Sequence, residues 1–270
     1  MEIGSVIMKK RKELGYTQQN LADRLHVSFQ AVSKWENGTA CPEIDLLPGL
    51  AAALGVSIDT LLGYRSAVTA DYEGRYQKSG YYWGLKPNQM CYTILKLRPP
   101  VKPQRVLDIG CGEGRDAVFL ARNGYQVSAF DVAEAGLEKG RQLAEHCGVQ
   151  VNFFKADLLD YRMTDFYDIF LCSGVLHFVR PEIREELLEH FKAHTTEGGI
   201  HAINVFVGKP FVKAKTEYRF PWKSGELFCH YSDWYFHEMK EAVFDCTSGG
   251  IPHQHCMDTM IAEKYPAIAL

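Results

Sequence analysis

The segment from Val106 to Arg115 limits the possible folds of this chain more than any other, because an apolar strand pattern runs directly into a glycine-rich turn. It reads VLDIGCGEGR, and a second acidic residue, Asp131, ends the next apolar run. In α/β folds such a strand, turn and helix bind a ligand outside the carboxyl end of the strand, where glycines let the backbone approach it. We therefore expect a nucleotide-type site here, rather than a turn that only permits tight packing.

The charges around the turn indicate which nucleotide it suits. Dinucleotide sites use the spacing G-x-G-x-x-G, but Arg115 stands at the third glycine position and Asp108 precedes the first glycine by two residues. A carboxylate there repels a pyrophosphate but attracts the ammonium group of a methionyl moiety. Asp131 is placed to accept both ribose hydroxyls. The pattern predicts S-adenosylmethionine as the cofactor.

The predicted cofactor contacts follow the ends of successive strands. Asp157 is expected to accept a hydrogen bond from the adenine amino group. Cys111 and Cys172 are interpreted as small apolar spacers rather than nucleophiles. The full predicted set is Asp108, Ile109, Gly110, Cys111, Gly112, Gly114, Asp131, Val132, Ala156, Asp157, Leu158, Cys172 and Ser173.

Length, charge and cysteine usage narrow the class of protein. A chain of 270 residues predicts two domains. The net charge of −3 argues against a surface built for nonspecific attraction to nucleic acid or membranes. Eight cysteines without a C-x-x-C pair fit reduced thiols, and no apolar run approaches membrane-spanning length. We expect a cytoplasmic protein with no membrane partner.

The first 64 residues predict a set of short helices. Thr17 is placed to cap the second helix and Ser28 the third, and Gly38 ends the third. So brief a turn between two short helices is typical of a helix-turn-helix. The predicted organisation is a helix-turn-helix domain over 1–64, a linker over 65–80 and a second domain over 81–270.

The segments YTQQNLA (16–22) and VSFQAVSKWENG (27–38) resemble the lambda-repressor-like, or XRE-type, DNA-binding domain. The resemblance implies that the second helix clamps a phosphate and that the third enters the major groove. Residues 1–64 carry six basic and seven acidic side chains, a net charge of −1. We therefore expect a monomer to bind DNA weakly and a homodimer to bind a two-fold site. A module for protein contacts is the alternative. The predicted DNA-binding residues are Thr17, Gln18, Ser28, Phe29, Gln30, Ser33 and Lys34.

Beyond the linker, strand and helix patterns alternate, which predicts a doubly wound α/β sheet. Helical patterns near 115–123, 135–147 and 182–193 separate the apolar runs. Tyr82 and Trp83 precede the first strand and are interpreted either as a lid over the cofactor or as packing of an N-terminal helix. The predicted strands are Arg105–Ile109, Gln126–Phe130, Val149–Lys155, Ile169–Ser173 and Ile200–Val207.

The motifs GCGEGRD (110–116), GEL (225–227) and TMIA (259–262) resemble a class I S-adenosylmethionine-dependent methyltransferase, and the region from 71 onward is most similar to the tellurite-resistance methyltransferase family. The resemblance implies a seven-stranded Rossmann-like sheet with its last strand antiparallel. It also implies a pocket built partly by the segment after strand five. The tail lacks the cationic residues expected nearby, which argues against an oxyanion acceptor.

Acceptor chemistry is assigned to residues at the rim of the predicted crevice. His177, after strand four, is predicted to act as a catalytic base or to orient the acceptor, with simple packing as the alternative. The tail residues are interpreted as acceptor contacts, with hairpin packing or a three-ligand zinc site left open and no metal predicted. The predicted substrate pocket comprises Tyr82, Trp83, His177, Cys246, His253 and His255.

The sequence predicts an enzyme that methylates a small-molecule acceptor and is fused to a sequence-specific DNA-binding domain, so that it doubles as a transcriptional regulator. The alternative is a non-catalytic regulator whose methyltransferase fold senses S-adenosylmethionine or a small ligand. Methyltransferases that act on DNA bases carry a proline-aromatic motif after strand four. The sequence there is CSGV (172–175), which disfavours that class.

Overall fold

A computed structural model describes residues 3–56, 58–62, 71–212, 220–246 and 252–265. The chain divides into two compact units, one of Met1–Val68 with Leu159–Arg162, the other of Thr69–Leu158 with Met163–Leu270. Within the described ranges, no helix combines the length and apolarity needed to span a bilayer.

The described part of the first unit is helical, as predicted. Thr17 accepts a hydrogen bond from the Asn20 N–H at 3.0 Å, and Asn20 Oδ1 accepts one from the Thr17 N–H at 3.0 Å, which forms a capping box. Ser28 caps the next helix by accepting from the Ala31 N–H at 3.2 Å. The helices are α1 Ile3–Glu13, α2 Gln18–Leu25, α3 Phe29–Glu36, α4 Leu47–Leu54 and α5 Ile58–Leu61.

A buried ion pair connects α1 and α3 beneath their apolar contacts. Arg11 donates to Glu36 through Nε at 2.5 Å and through Nη2 at 2.9 Å, and Gln18 Nε2 donates to the same carboxylate at 2.7 Å. Gly4 of α1 lies against the backbone carbonyl of Trp35, where a Cβ would have no space. Although burial acts to raise it, the bonds from Arg11 and Gln18 hold the pKa of Glu36 below its usual value.

The second unit is built on one seven-stranded sheet in the order β3-β2-β1-β4-β5-β7-β6. The first five strands are parallel, and β7 is antiparallel to both β5 and β6, as the resemblance implied. The strand order reverses between β1 and β4, which is where an open α/β sheet forms its ligand crevice. The strands are β1 Arg105–Ile109, β2 Gln126–Asp131, β3 Asn152–Lys155, β4 Tyr167–Ser173, β5 Thr195–Val207, β6 Tyr235–Cys246 and β7 His253–Glu263.

Helices cover this sheet, and its core strands are nearly continuous apolar runs. Val106, Leu107 and Ile109 of β1 are fully buried, as expected for a parallel strand with both faces covered. The helices are α6 Tyr72–Tyr76, α7 Gln89–Leu97, α8 Arg115–Arg122, α9 Glu134–His146, α10 Pro181–Ala193 and α11 Glu226–Cys229.

Two predicted strand boundaries were wrong by three residues or more, and the end of β2 and the start of β4 differ by one and two residues. Val149 does not start β3, because its N–H donates to Ala144 O at 3.0 Å and completes the end of α9. Strand β5 starts at Thr195 rather than Ile200, because Gly198, at φ +71°, lets an irregular stretch continue the ladder.

The predicted linker 65–80 contains a helix, α6, and its residues 65–70 lie outside the described ranges. Helix α6 forms within it because the Asp71 side chain accepts from the Gly74 N–H at 2.8 Å and caps the helix. Tyr76, at the end of α6, is only 4% exposed. Local sequence periodicity does not reveal the stabilisation that burying this ring provides, so the sequence pattern did not predict this helix.

Candidate functional site

The turn between β1 and α8 depends on three glycines. Gly110, Gly112 and Gly114 have φ values of +67°, +55° and +77°, the left-handed region that side chains rarely adopt. A Cβ on Gly112 would also lie 2.8 Å from the Tyr76 hydroxyl, and one on Gly114 would lie 2.8 Å from the Phe153 ring. The turn is therefore shaped by backbone alone, as a close approach to a ligand requires.

Asp131 fastens the end of β2 to this turn. Its Oδ2 accepts from the Gly112 N–H at 2.9 Å, and its Oδ1 accepts from the Ala133 N–H at 2.9 Å. Burial raises the pKa of Asp131, against the effect of these backbone bonds. Each carboxylate oxygen retains a further acceptor position, so the group can still bind ligand hydroxyls.

Asp108 is a buried acid without enough protein partners. Its side chain belongs to a residue only 3% exposed, and among the described residues no donor reaches its Oδ2. Burial, together with the Asp116 and Asp131 carboxylates, raises the pKa of Asp108 well above its usual value. A ligand cation placed here would supply the missing partner and favour ionisation.

These observations fit S-adenosylmethionine. The orphaned Asp108 oxygen suits an ammonium group, and the glycine turn leaves space where side chains would block it. Two other predicted contacts lie on neighbouring strand ends: the Ala156 N–H donates to Asp131 O at 3.1 Å, and the fully buried Cys172 of β4 pairs with Ile109 of β1. Burial raises the pKa of the Cys111 and Cys172 thiols, which supports their interpretation as apolar spacers.

A polar network beside the glycine turn was not predicted from the sequence. Ser173 Oγ accepts from Asn88 Nδ2 at 2.9 Å and from Asn204 Nδ2 at 3.2 Å, while Asn204 Oδ1 accepts from the Gly174 N–H at 2.7 Å. The Asn88 N–H also donates to Asp116 Oδ1 at 2.7 Å. Asn204 was detectable as an amide within the apolar run of β5, but its partners come from distant segments.

The predicted aromatic cluster contacts the glycine turn. Trp83 Nε1 donates to the Tyr76 hydroxyl at 3.1 Å, and the Tyr82 and Trp83 rings meet edge to face at 4.8 Å. The Trp83 N–H reaches Glu113 Oε2 at 3.4 Å, and Lys139 Nζ holds Glu113 Oε1 at 2.8 Å. These bonds favour the lid interpretation over simple helix packing.

His177 lies in a short 3-10 turn, Leu176–Phe178, that follows β4. The residue is 2% exposed, and its ring centroid lies 4.7 Å from that of Phe206. Burial, with a smaller contribution from His255, lowers the pKa of His177 to about 3. Such an imidazole is neutral at pH 7 but a weak base, so the geometry favours orienting the acceptor over abstracting its proton.

The tail residues assemble next to His177. Cys246 of β6 pairs directly with His253 of β7, and His253 Nε2 lies 2.9 Å from His255 Nε2. The centroid of the Phe206 ring lies 4.7 Å from that of His177 and 4.8 Å from that of His255. The structure therefore brings His177 and the tail residues to one region, whereas Tyr82 and Trp83 lie at the glycine turn.

The predicted DNA-contacting residues occupy the start of α3 and of α2. Ser28, Phe29, Gln30 and Lys34 are exposed and Ser33 is half-buried, with the Phe29 ring 43% exposed. An exposed aromatic at the start of a helix is available for contact. Thr17 and Gln18 are engaged in the cap and in the bond to Glu36 described above, so their side chains also serve the fold.

Both units match known protein families. The family described as Tellurite resistance protein TehB matches residues 89–248, more than half of the chain. The chain belongs to the TehB family. A helix-turn-helix family matches residues 7–61, which confirms the prediction of an XRE-type domain fused to a methyltransferase fold.

Individual relatives agree with the TehB assignment. The chain is 26% identical over 170 residues to the "Probable S-adenosyl-L-methionine-dependent methyltransferase TehB" of Haemophilus influenzae, covering 62% of this chain and 59% of that protein. The crystal structure of Haemophilus influenzae TehB superposes with a TM-score of 0.60 at 23% identity, covering 72% of this chain and 65% of that one.

A magnesium protoporphyrin IX methyltransferase from Synechocystis, solved with bound SAH, superposes with a TM-score of 0.53 at 16% identity, covering 72% and 93% of the two chains. At this identity the likeness shows the fold alone. The predicted methyltransferase fold is thus confirmed by membership of the TehB family, and the chain spans about three fifths of the length of the curated TehB protein.

The glycine turn generates a prediction with an internal control. Gly112 and Gly148 both have positive φ, but a Cβ on Gly148 meets nothing within 4 Å. Both alanine substitutions therefore carry the left-handed backbone penalty, and only Gly112→Ala adds the clash with Tyr76. We expect Gly112→Ala to melt about 2 °C or more below Gly148→Ala in a thermal scan. Equal melting temperatures would contradict the proposed packing of Tyr76 on the turn.

Proposed function

We propose that this protein is an S-adenosylmethionine-dependent methyltransferase that acts on a small-molecule acceptor, and that its first unit binds DNA. The observation that carries the first part is the buried Asp108 Oδ2, which has no donor among the described residues and lies where the TehB fold presents its glycine turn. Buried charge without a partner is costly, and a ligand ammonium group supplies that partner.

In this proposal each predicted residue has a physical task. Asp108 binds the ammonium group, Asp131 binds the ribose hydroxyls through its remaining acceptor positions, and Asp157, exposed after β3, accepts from the adenine amino group. Bound S-adenosylmethionine supplies an electrophilic methyl group. The chain aligns the acceptor with it and excludes water, which is where most of the acceleration of an in-line transfer arises.

Calorimetric titration tests the cofactor site. Asp131→Ala removes the ribose contacts and the tie to Gly112, so we expect S-adenosylmethionine affinity to fall at least about tenfold, which is about 1.4 kcal/mol. Asp165→Ala is the matched control, because Asp165 forms only an exposed ion pair with Arg105 at 3.3 Å. Unchanged affinity in Asp131→Ala would refute the assignment of Asp131.

The same titrations report on Asp108. Its pKa is raised in the free protein, and a bound cation lowers it, so binding near that pKa releases a proton and affinity falls as the pH drops through it. Titrations in buffers of different ionisation enthalpy measure the release. We expect Asp108→Asn to abolish it, and a release that persists in this variant would assign it to another group.

A turnover assay separates the enzyme from the sensor. The acceptors are thiols, selenite, tellurite and halides, with methylated product detected by mass spectrometry. We expect product from at least one acceptor, and His177→Gln to lower kcat/KM by about 10²-fold through misalignment, with His146→Gln, at an exposed position, as control. Tight cofactor binding without product from any acceptor would instead support a non-catalytic sensor.

The proposal for the first unit rests on the exposed residues of α3. We infer that Gln30 reads a base edge in the major groove, that Ser28, Phe29, Ser33 and Lys34 contact the same groove, and that a homodimer reads a two-fold operator. Thr17 and Gln18 would contact phosphate. Such a chain would regulate transcription in the cytoplasm, and its eight free cysteines suit that reducing compartment.

Operator selection followed by fluorescence anisotropy tests this interface. An operator is first selected from random DNA by the full chain. We expect Gln30→Ala to weaken binding to it about tenfold or more, because a bidentate contact to adenine contributes about 1–3 kcal/mol of discrimination. Gln142→Ala, at an exposed position of α9, is the control. Failure to enrich any sequence would favour a protein-contact module.

A further inference from the structure

Three side chains at the β6–β7 pair converge in a way that hairpin packing does not require. Cys246, His253 and His255 offer ligand atoms that all lie within 4.8 Å of one another. Across the described ranges, no other group of three or more His, Cys, Asp or Glu side chains meets that test. Two imidazoles and a thiol are the ligand types that bind zinc and similar ions in proteins.

The strand register explains why the three meet. Cys246 is the residue of β6 directly opposite His253 of β7, so their side chains leave the same face of the sheet. His255 follows two positions later on β7 and therefore shares that face. The group is set by an antiparallel ladder rather than by a loop, which limits the rearrangement needed to bind an ion.

The separations suit tetrahedral coordination. The Nε2 atoms of His253 and His255 are 2.9 Å apart. In a zinc site with bonds of about 2.0–2.3 Å, neighbouring ligand atoms lie about 3.3–3.6 Å apart. The imidazoles would separate slightly and Cys246 Sγ would approach, which are changes that side-chain rotation can make.

Aromatic rings hold one of the ligands in place. His255 is 8% exposed, with ring centroids of Phe206 and Phe244 at 4.8 Å and 5.4 Å. The centroid of the Phe206 ring also lies 4.7 Å from that of His177. Cys246, His253 and His255 therefore lie beside the proposed acceptor region. Dry, apolar walls of this kind strengthen the attraction between a cation and a thiolate.

We propose that Cys246, His253 and His255 bind a borderline-soft divalent transition-metal ion, with Zn²⁺ as the ion of choice, and leave a fourth coordination position open. Three protein ligands with one open position are the pattern of zinc sites that bind water or a substrate atom. This inference goes beyond the methyltransferase assignment and does not depend on it.

Metal content tests the proposal on the full chain without a histidine tag. The protein is stripped with chelator, reloaded with Zn²⁺ and measured by elemental mass spectrometry, and Co²⁺ is added separately as a spectroscopic probe. We expect about one equivalent of Zn²⁺ and, with Co²⁺, a thiolate-to-metal charge-transfer band together with tetrahedral d–d bands.

Single substitutions identify the ligands. Cys246→Ser, His253→Gln and His255→Gln should each weaken Zn²⁺ binding at least about tenfold, and Cys246→Ser should also abolish the charge-transfer band. Cys229→Ser and His146→Gln, both at exposed positions, are the matched controls and should bind as the parent does. Melting curves of the metal-free variants verify that each one folds.

The outcomes are decisive in both directions. No bound Zn²⁺ above the level of Cys246→Ser, or equal binding in all three ligand variants and the parent, would overturn the site and leave these residues as acceptor contacts or hairpin packing. Because metal content is read without methyl transfer, failure here would leave the cofactor titrations unaffected, and failure of those titrations would leave the metal result standing.

Discussion

The hydrogen bond from the Gly112 N–H to Asp131 Oδ2 is the contact on which the candidate site depends. It joins the turn after β1 to the end of β2 at 2.9 Å, at the carboxyl ends of two adjacent parallel strands. A side chain at Gly112 would meet Tyr76, so the same glycine also lets the aromatic segment approach. Sheet, turn and covering segment thus meet at one backbone amide.

Three neighbouring carboxyl groups make this arrangement suited to a cationic ligand. The buried Asp108 and Asp116 and the half-buried Asp131 form an acidic group, and the Asp108 Oδ2 has no donor among the described residues. Such a group lowers the free energy of unfolding, because buried carboxylates resist ionisation without a cation. The proposed ligand is the one whose ammonium and ribose groups relieve that cost. On the proposed acceptor side, in contrast, burial keeps His177 neutral and a weak base, which suits it to orienting an acceptor.

The glycine turn, its acidic residues and the helix caps could be predicted from the sequence, because each is signalled by residue types in short segments. Asp108 stands two residues before the first glycine of the turn, Asp131 closes the next apolar run, and the caps Thr17 and Ser28 act over three residues. The partners of Ser173 could not be read in this way, because Asn88 and Asn204 come from α7 and β5, 85 and 31 residues away. The helix at Tyr72–Tyr76 was also missed, because five residues are too few to show helical periodicity and the local cap at Asp71 acts together with the burial of Tyr76.

The sequence by itself determined the helical first unit, the parallel sheet and the glycine turn, because hydrophobic periodicity and the left-handed preference of glycine are properties of neighbouring residues. The tertiary structure was needed to show that His177 is buried and that the Phe206 ring lies close to both His177 and His255. It was also needed to bring the Cys246 thiol to the two imidazoles. Strand register sets these relations, and register arises from packing between segments that no local pattern connects.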